Sequence, residues 1–236
     1  MTRYFIFFLM AAGLSLFLTP LIRSFARWAK VLDLPSDRKI HKKPVPLLGG
    51  ISIFLSFNLA IVLGLIFDKA LFSESILANW QELFICQIII LALGIFDDIK
   101  HLQPWAKLIF QVIAGIIIVL FGFGIGAISN PFTGNLVKLG FFSLPFTVIW
   151  LVLIANALNL VDGLDGLAAG TSFIAALTIF GLSYFNQNIG VSIAVIALAG
   201  SIFGFIRYNF YPAKIFLGDS GSLLLGFLLA VFSIKS

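Results

Sequence analysis

Charge is what this sequence has least of. Across 236 residues, Asp, Glu, Lys and Arg make up 11% while 61% are hydrophobic, against roughly a quarter charged and half apolar in a soluble domain. Too few polar groups are present to cover a globule in water, which excludes an ordinary soluble fold. Cysteine is nearly absent. Cys86 stands alone inside an apolar run, so no internal disulfide can form and the redox compartment is not legible from cysteine usage. There is no internal repeat, no low-complexity tract and no separate soluble domain. No basic patch with interleaved aromatics occurs either, and nucleic acid is therefore not an expected partner. The first apolar stretch has no small-residue cleavage site behind it, and Arg23, Arg27 and Lys30 follow it directly. It reads as a retained helix rather than a removable leader.

What is present is a set of long apolar runs of about the length that spans a bilayer as helix. They fall at Tyr4–Ile22, Leu47–Phe67, Leu83–Phe96, Leu108–Ile125, Pro145–Leu160, Leu167–Phe185, Gly190–Ile206 and Ser222–Ile234. The third extends back through Trp80. The expected fold class is all-α, a polytopic transmembrane bundle of about eight spans. The segment Arg23–Pro46 holds seven Lys and Arg. Placing it in the cytoplasm puts eleven basic residues on that side and four on the other, so the positive-inside rule puts the N-terminus outside. The same assignment brings Asp33, Asp37, Asp97, Asp98, Asp162, Asp165 and Asp219, seven of ten acidic residues, to the cytoplasmic face. Charge at membrane depth is costly and usually functional.

Those acids lie in four polar segments. The first is Asp37-Arg38-Lys39-Ile40-His41-Lys42-Lys43-Pro44-Val45-Pro46, then Gly49-Gly50. It reads either as an anchor for anionic headgroups or as a phosphate clamp in which Lys39 and His41 reach a diphosphate and the glycines allow another backbone to approach. In the second, Asp97-Asp98 ends an apolar helix, with Lys100, His101, Trp105 and Lys107 beyond. Adjacent carboxylates repel, and a helix C-terminus disfavours anions, so a cation or a proton is expected there. The third carries Asn156, Asn159, Asp162 and Asp165 at intervals of three. Consecutive members share a helix face, and Gly163 and Gly166 predict a break near Asp162. Amide and carboxylate oxygens beside a broken helix suit a hard cation such as Mg²⁺; Asn156 alone also fits helix–helix hydrogen bonding. The fourth is Arg207-Tyr208-Asn209-Phe210-Tyr211-Pro212-Ala213-Lys214, then Phe216-Leu217-Gly218-Asp219-Ser220-Gly221-Ser222. Gly-Asp-Ser-Gly invites a serine-protease reading, but that chemistry needs a partnered His and the only candidates are His41 and His101. A glycine-rich helix entry whose free N–H groups attract anions fits better. Together the segments make the inventory for a phosphorylated substrate bridged by Mg²⁺.

In this order the segments resemble the polyprenyl-phosphate N-acetylhexosamine-1-phosphate transferases, glycosyltransferase family 4. The Asp37-Arg38-Lys39-Ile40-His41 variant is closer to the GlcNAc-1-phosphate branch than to the phospho-MurNAc-pentapeptide branch. Gly94-Ile95-Phe96-Asp97-Asp98 and the segments Asn156–Gly166 and Phe216–Ser222 carry the rest of the likeness, which covers the whole chain. The resemblance implies one transmembrane transferase domain over residues 1–236. It would move GlcNAc-1-phosphate from UDP-GlcNAc to undecaprenyl phosphate, releasing UMP, in a bacterial inner membrane with the site facing the cytoplasm. Asp97 and Asp98 are then catalytic, handling the lipid phosphate. Asn159, Asp162 and Asp219 hold Mg²⁺, with Mn²⁺ as the substitute. Lys39, His41, Asn156, Asp165 and Ser220 contact substrate. A homodimer is allowed. The family's further C-terminal helices and His-rich loop have no counterpart before Ser236, which implies a fragment, a truncated reading frame or a degenerate copy, with little or no turnover expected of these 236 residues alone. A transporter built around the same cavity would be expected to show repeat symmetry, which is absent; a non-catalytic remnant is the other alternative.

Overall fold

The computed structural model describes residues 1–35, 42–67, 75–130 and 133–236. Nine helices follow in chain order among these residues. They are α1 (Thr2–Trp28), α2 (Gly49–Phe67), the single turn α3 (Ser75–Ala78), α4 (Trp80–Lys100), α5 (Pro104–Leu120), α6 (Ser143–Val161), α7 (Leu167–Phe185), α8 (Ile189–Asn209) and α9 (Gly218–Lys235). Two short antiparallel pairs complete the fold. β1 (Leu32–Asp33) pairs with β2 (Val45–Pro46), and β3 (Ala127–Ser129) with β4 (Leu136–Lys138).

Each of the eight apolar runs forms one long helix, because in hydrocarbon every backbone polar group must be satisfied within its own segment. Six are long and apolar enough to cross a membrane by length and composition: α1, α2, α6 with the preceding turn from Gly140, α7, α8 and α9. Of the other two, α5 is shorter at 17 residues, and α4 carries Glu82, Asp97, Asp98 and Lys100 near its ends. The fourth run was expected to reach Ile125, yet α5 stops at Leu120, where Gly122 takes a positive φ of 85°. The last helix begins earlier than its hydropathy predicts, because polar residues from Gly218 onward are drawn into its first turn by a partner described below.

Burial sorts the helices into two layers. Within their apolar windows, α8 is 83% buried and α9 78%, whereas α1 is 28%, α6 22% and α7 33% buried. The bundle is therefore built around α8 and α9, with α1, α6 and α7 turning rows of Phe, Leu and Ile outward, as a lipid-facing layer does. Small residues let the helices touch, as expected where lipid removes the hydrophobic drive for association. Gly200 and Gly204, four apart on α8, receive α1: a Cβ on Gly204 would lie 2.5 Å from the Ala12 carbonyl oxygen. Gly226 of α9 meets Ala155 of α6, with 2.5 Å between a built Cβ and Ala155 Cα.

At one end of the bundle the C-terminal ends of α4, α6 and α8 meet the N-terminal ends of α2, α5, α7 and α9. Here the glycines are tightest. Cβ atoms on Gly50 and Gly94 would lie 2.5 Å from Gly221 Cα and Ser220 N respectively, so α2 and α4 both press onto the first turn of α9. The α2 amides of Gly49 and Gly50 donate to the carbonyls of Phe216 and Leu217, each at 3.1 Å, and Phe216 N returns to Pro46 O at 2.8 Å.

Because the atoms facing Gly94 are backbone, Gly94→Ala has nothing soft to push aside. Its expected cost is about 1–3 kcal/mol of overpacking, read as a lower thermal midpoint in detergent. Gly181→Ala on α7, where a Cβ meets nothing within 4 Å, should leave that midpoint unchanged or slightly raised.

Candidate active site

Asp97 and Asp98 occupy the last turn of α4 and are both buried. Asp98 turns its carboxylate to the start of α9. Its Oδ1 accepts from Asp219 N at 2.7 Å and its Oδ2 from Ser220 N at 3.2 Å. Gly218, at φ +72°, lets the chain pass over that carboxylate, for a Cβ there would sit 2.7 Å from Asp98 Oδ2. A carboxylate at a helix N-terminus satisfies donors that have no intrahelical partner and complements the dipole. The first-turn amides expected to attract a bound anion thus already hold one, and it belongs to the protein. This draws Gly218–Ser222 into helix.

Asp97 faces the other way. Its Oδ1 accepts from Leu102 N at 2.6 Å, which closes the turn where His101 takes a left-handed φ of 50°. Its Oδ2 is ion-paired to Lys107 Nζ. Lys107, in the first turn of α5, also donates to Asp219 Oδ2 at 2.7 Å. Asp219 Oδ1 accepts from Asn159 Nδ2 at 2.7 Å, and the same nitrogen reaches Ser222 Oγ at 2.8 Å. A continuous polar chain therefore runs Asp97–Lys107–Asp219–Asn159–Ser222 across α4, α5, α9 and α6.

The break expected near Asp162 is present. α6 ends at Val161, Asp162 caps it with ψ +45°, and Gly166 at φ +74° starts α7. Asp162 lies just beyond the apolar span of α6 and faces the same cleft as Asp97, Asp98 and Asp219. Burial pushes its carboxyl up to about 7; the charge of Asp98 adds to that, and a backbone hydrogen bond from Gly218 opposes it. Asp165 accepts from Ala213 N at 2.9 Å, which ties the α6–α7 turn to the α8–α9 loop. The cleft has a volume of about 1220 Å³, and its walls also include Asp33, Lys42, Lys43, His101, Tyr211 and Phe216.

The proposed site residues thus divide. Asp97, Asp98, Asp162, Asp165 and Asp219 line one cleft, and Asn159 is bonded to it through Asp219. Asn156 is placed otherwise: its Nδ2 donates to Gln111 Oε1 at 2.5 Å and Val152 O at 2.7 Å, and it is not a lining residue of the cleft. It behaves as the helix–helix hydrogen bond that its position alone allowed, since Gln111 on α5 lies directly across from it. Ser220 is fully buried behind Asp98, with its amide on that carboxylate rather than its side chain in the cleft wall. Lys39 and His41 lie outside the described residues. The Gly49-Gly50 reading holds, in that another backbone does approach there. Sequence reading named Lys107 and Gly94 within their segments without giving either a role, and passed over Gln111. Each has its partner in a distant segment, and the only local hint was a basic residue in a helix's first turn.

No group of three His, Cys, Asp or Glu side chains gathers to hold a metal ion among the described residues. The donors around the cleft are nonetheless hard oxygens, and six carboxylates line it against the ammonium groups of Lys42 and Lys43, with Lys107 paired to Asp97 and Asp219, an excess of negative charge that suits a hard cation.

A carboxyl whose folded pKa lies above its unfolded one binds more protons in the fold. Its stabilising contribution is full below about 4 and is lost as pH rises to about 7. With chelator present, the melting midpoint in detergent is expected to fall between pH 5 and 8 more steeply for the native chain than for Asp162→Asn. Equal slopes would separate the effect from Asp162.

Residues 80–236 match the model of glycosyl transferase family 4. The chain is 36% identical over 234 residues, 99% of its own length, to a probable undecaprenyl-phosphate N-acetylglucosaminyl 1-phosphate transferase of Bacillus subtilis, of which it covers 63%. It is 32% identical to a decaprenyl-phosphate N-acetylglucosaminephosphotransferase of Mycobacterium leprae, with 95% of this chain and 59% of that protein aligned. It is 34% identical to a phospho-N-acetylmuramoyl-pentapeptide-transferase of Streptococcus pneumoniae, with 96% and 73% aligned. The chain thus spans about six-tenths of the length of the two N-acetylglucosamine relatives. The family model matches most of the chain, including Asp97, Asp98, Asp162 and Asp219, and the chain belongs to glycosyl transferase family 4.

Proposed function

We propose that the cleft transfers GlcNAc-1-phosphate from UDP-GlcNAc to undecaprenyl phosphate, leaving undecaprenyl-diphospho-GlcNAc and UMP, on the cytoplasmic face of a bacterial inner membrane. The observation that carries this reading is the convergence of Asp97, Asp98, Asp162 and Asp219, from three separated segments of a family 4 chain, on one cleft at the end of a membrane bundle. The 36% identity to the Bacillus subtilis transferase favours N-acetylglucosamine. The pneumococcal relative, matched over more of its length, supports phospho-MurNAc-pentapeptide as the second reading.

Oxygen donors, a raised Asp162 and a lysine where a cation is favoured fit Mg²⁺, with Mn²⁺ as its substitute. Asp162 and Asp219 would hold the ion through carboxylate oxygens. Asn159, whose NH₂ is engaged by Asp219 and Ser222, would use its carbonyl oxygen. Bound there, the ion would screen the diphosphate and the leaving UMP. The attacking phosphate monoester is already mostly ionised at neutral pH, its second pKa being about 6. A strong base is therefore not required of the carboxylates. Asp98, with both oxygens on α9 amides, positions the backbone that carries Asp219. Asp97 holds Lys107 and the turn after α4. Lys42 and Lys43 at the cleft wall supply charge of the sign a nucleotide diphosphate needs.

Because the chain spans 63% of the Bacillus subtilis relative, the reading is tested in a chimera in which these 236 residues replace the aligned part of that protein. Label from UDP-GlcNAc is expected in the lipid fraction, Mg²⁺-dependent, with Asp162→Asn lowering it about a hundredfold or more while membrane insertion persists. Preference for UDP-MurNAc-pentapeptide would select the second reading. Should the chimera not fold, UMP and UDP-GlcNAc binding by the purified chain takes its place, and binding of neither, with or without Mg²⁺, sinks the proposal.

A further inference from the structure

We propose that Lys107 is an internal counter-cation which a divalent ion displaces, so that the cleft alternates between a lysine-neutralised and a metal-loaded state. The inference rests on the reading of the cleft as a divalent-cation site.

The geometry of the ammonium is the first support. Lys107 Nζ lies between Asp97 Oδ2 and Asp219 Oδ2, bridging the end of α4 and the start of α9 from a third helix. A single charge thus holds two carboxylates that face the same cleft. The second is its position on α5. The helix begins at Pro104 behind the N-cap Gln103 and has no acidic residue in its first turn, so Lys107 sits where the helix dipole disfavours a cation. Its own helix does not hold the ammonium; the two carboxylates do. The third is exposure. The Asp97 side chain is 3% exposed, Lys107 21% and Asp219 30%, so an ion arriving through the cleft meets Asp219 before it meets Asp97.

The fourth support is competition for the same atoms. An incoming cation and Lys107 want the same oxygen atoms, Asp219 Oδ2 above all. Replacing one positive charge by two among Asp97, Asp98, Asp162 and Asp219 favours the exchange once an ion is available, and the flexible four-carbon stem of lysine lets the ammonium leave without moving α5. Without metal, the lysine offsets part of the carboxylate charge and keeps α4, α5 and α9 joined; with metal, it is released into the cleft. Metal affinity is then lowered by the fraction of molecules in the lysine-bound state.

Two measurements on the purified full chain in detergent, stripped with chelator, test this. Lysine acetylation by an N-hydroxysuccinimide ester, read by mass spectrometry, should rise several-fold at Lys107 when Mg²⁺ is added. Lys138, on β4 at the far end of the bundle, should not change. Mn²⁺ titration followed by electron paramagnetic resonance should show tighter binding by Lys107→Gln, about tenfold if one molecule in ten is free of the lysine contact at rest. Mn²⁺ bound by the native chain with Lys107 labelling unchanged, or bound no more tightly by Lys107→Gln, overturns the exchange and leaves the metal site standing. No Mn²⁺ binding by the native chain or the variant overturns both.

Discussion

The placement of one buried carboxylate organises the active end of this bundle. Asp98 reaches from the last turn of α4 to the amides of Asp219 and Ser220, and three conditions make that reach possible. Gly218 must adopt a left-handed backbone, Gly94 must let α4 lie against the α9 backbone, and Gly50 must let α2 close from the other side. Asp98 gains two backbone donors and the favourable end of the α9 dipole, which compensates for standing at the unfavourable end of α4. Once α9 starts at Gly218, Asp219 is delivered to Lys107 and Asn159, and the polar chain across four helices follows.

That arrangement explains why the carboxylates can be so dense. Asp97, Asp98, Asp162 and Asp219 surround the cleft, each stabilised by a different device: Asp97 by a turn amide and an ion pair, Asp98 by a helix N-terminus, Asp219 by Lys107 and Asn159. Asp162 has a single backbone hydrogen bond opposing burial and a neighbouring charge, and burial pushes its carboxyl up to about 7.

Much of this was legible in the sequence, for reasons that can be named. Hydropathy located all eight long helices, because hydrocarbon leaves no alternative to satisfied backbone over an apolar run. The turn at Asp162–Gly166 was legible because glycine there has a local conformational meaning. The clustering of acidic residues on alternate connections followed from chain direction alone. Pairings across the fold were not legible. Lys107 and Asp219 are separated by 112 positions, Gln111 and Asn156 by 45, and nothing local to either member names the other. The same holds for the α9 amides: a free helix N-terminus predicts an anion, but whether ligand or side chain supplies it depends on where another helix ends. The spacing of Gly200 and Gly204, which matches a close helix–helix contact, was not used in reading the sequence. The β1–β2 and β3–β4 pairs left no comparable pattern, being only two and three residues long.

The bundle's two layers bear on why the cleft sits at its end. In the proposed reaction a nucleotide diphosphate cannot enter hydrocarbon, and a polyprenyl chain cannot leave it, so their phosphates would meet only where spans stop and turns begin. At that level α4, α6 and α8 end while α5, α7 and α9 begin, which places free backbone groups and side-chain oxygens in one plane. The cost of breaking helices there is met by using the exposed groups: α9 amides take Asp98, the α2 amides take the Phe216 and Leu217 carbonyls, and the α8–α9 loop takes Asp165. What these bonds leave over are carboxylate and amide oxygens directed into the cleft. The site is thus made from the remainder of the interactions that terminate the helices, and for that reason its geometry is as rigid as the packing of α4, α6 and α9 themselves.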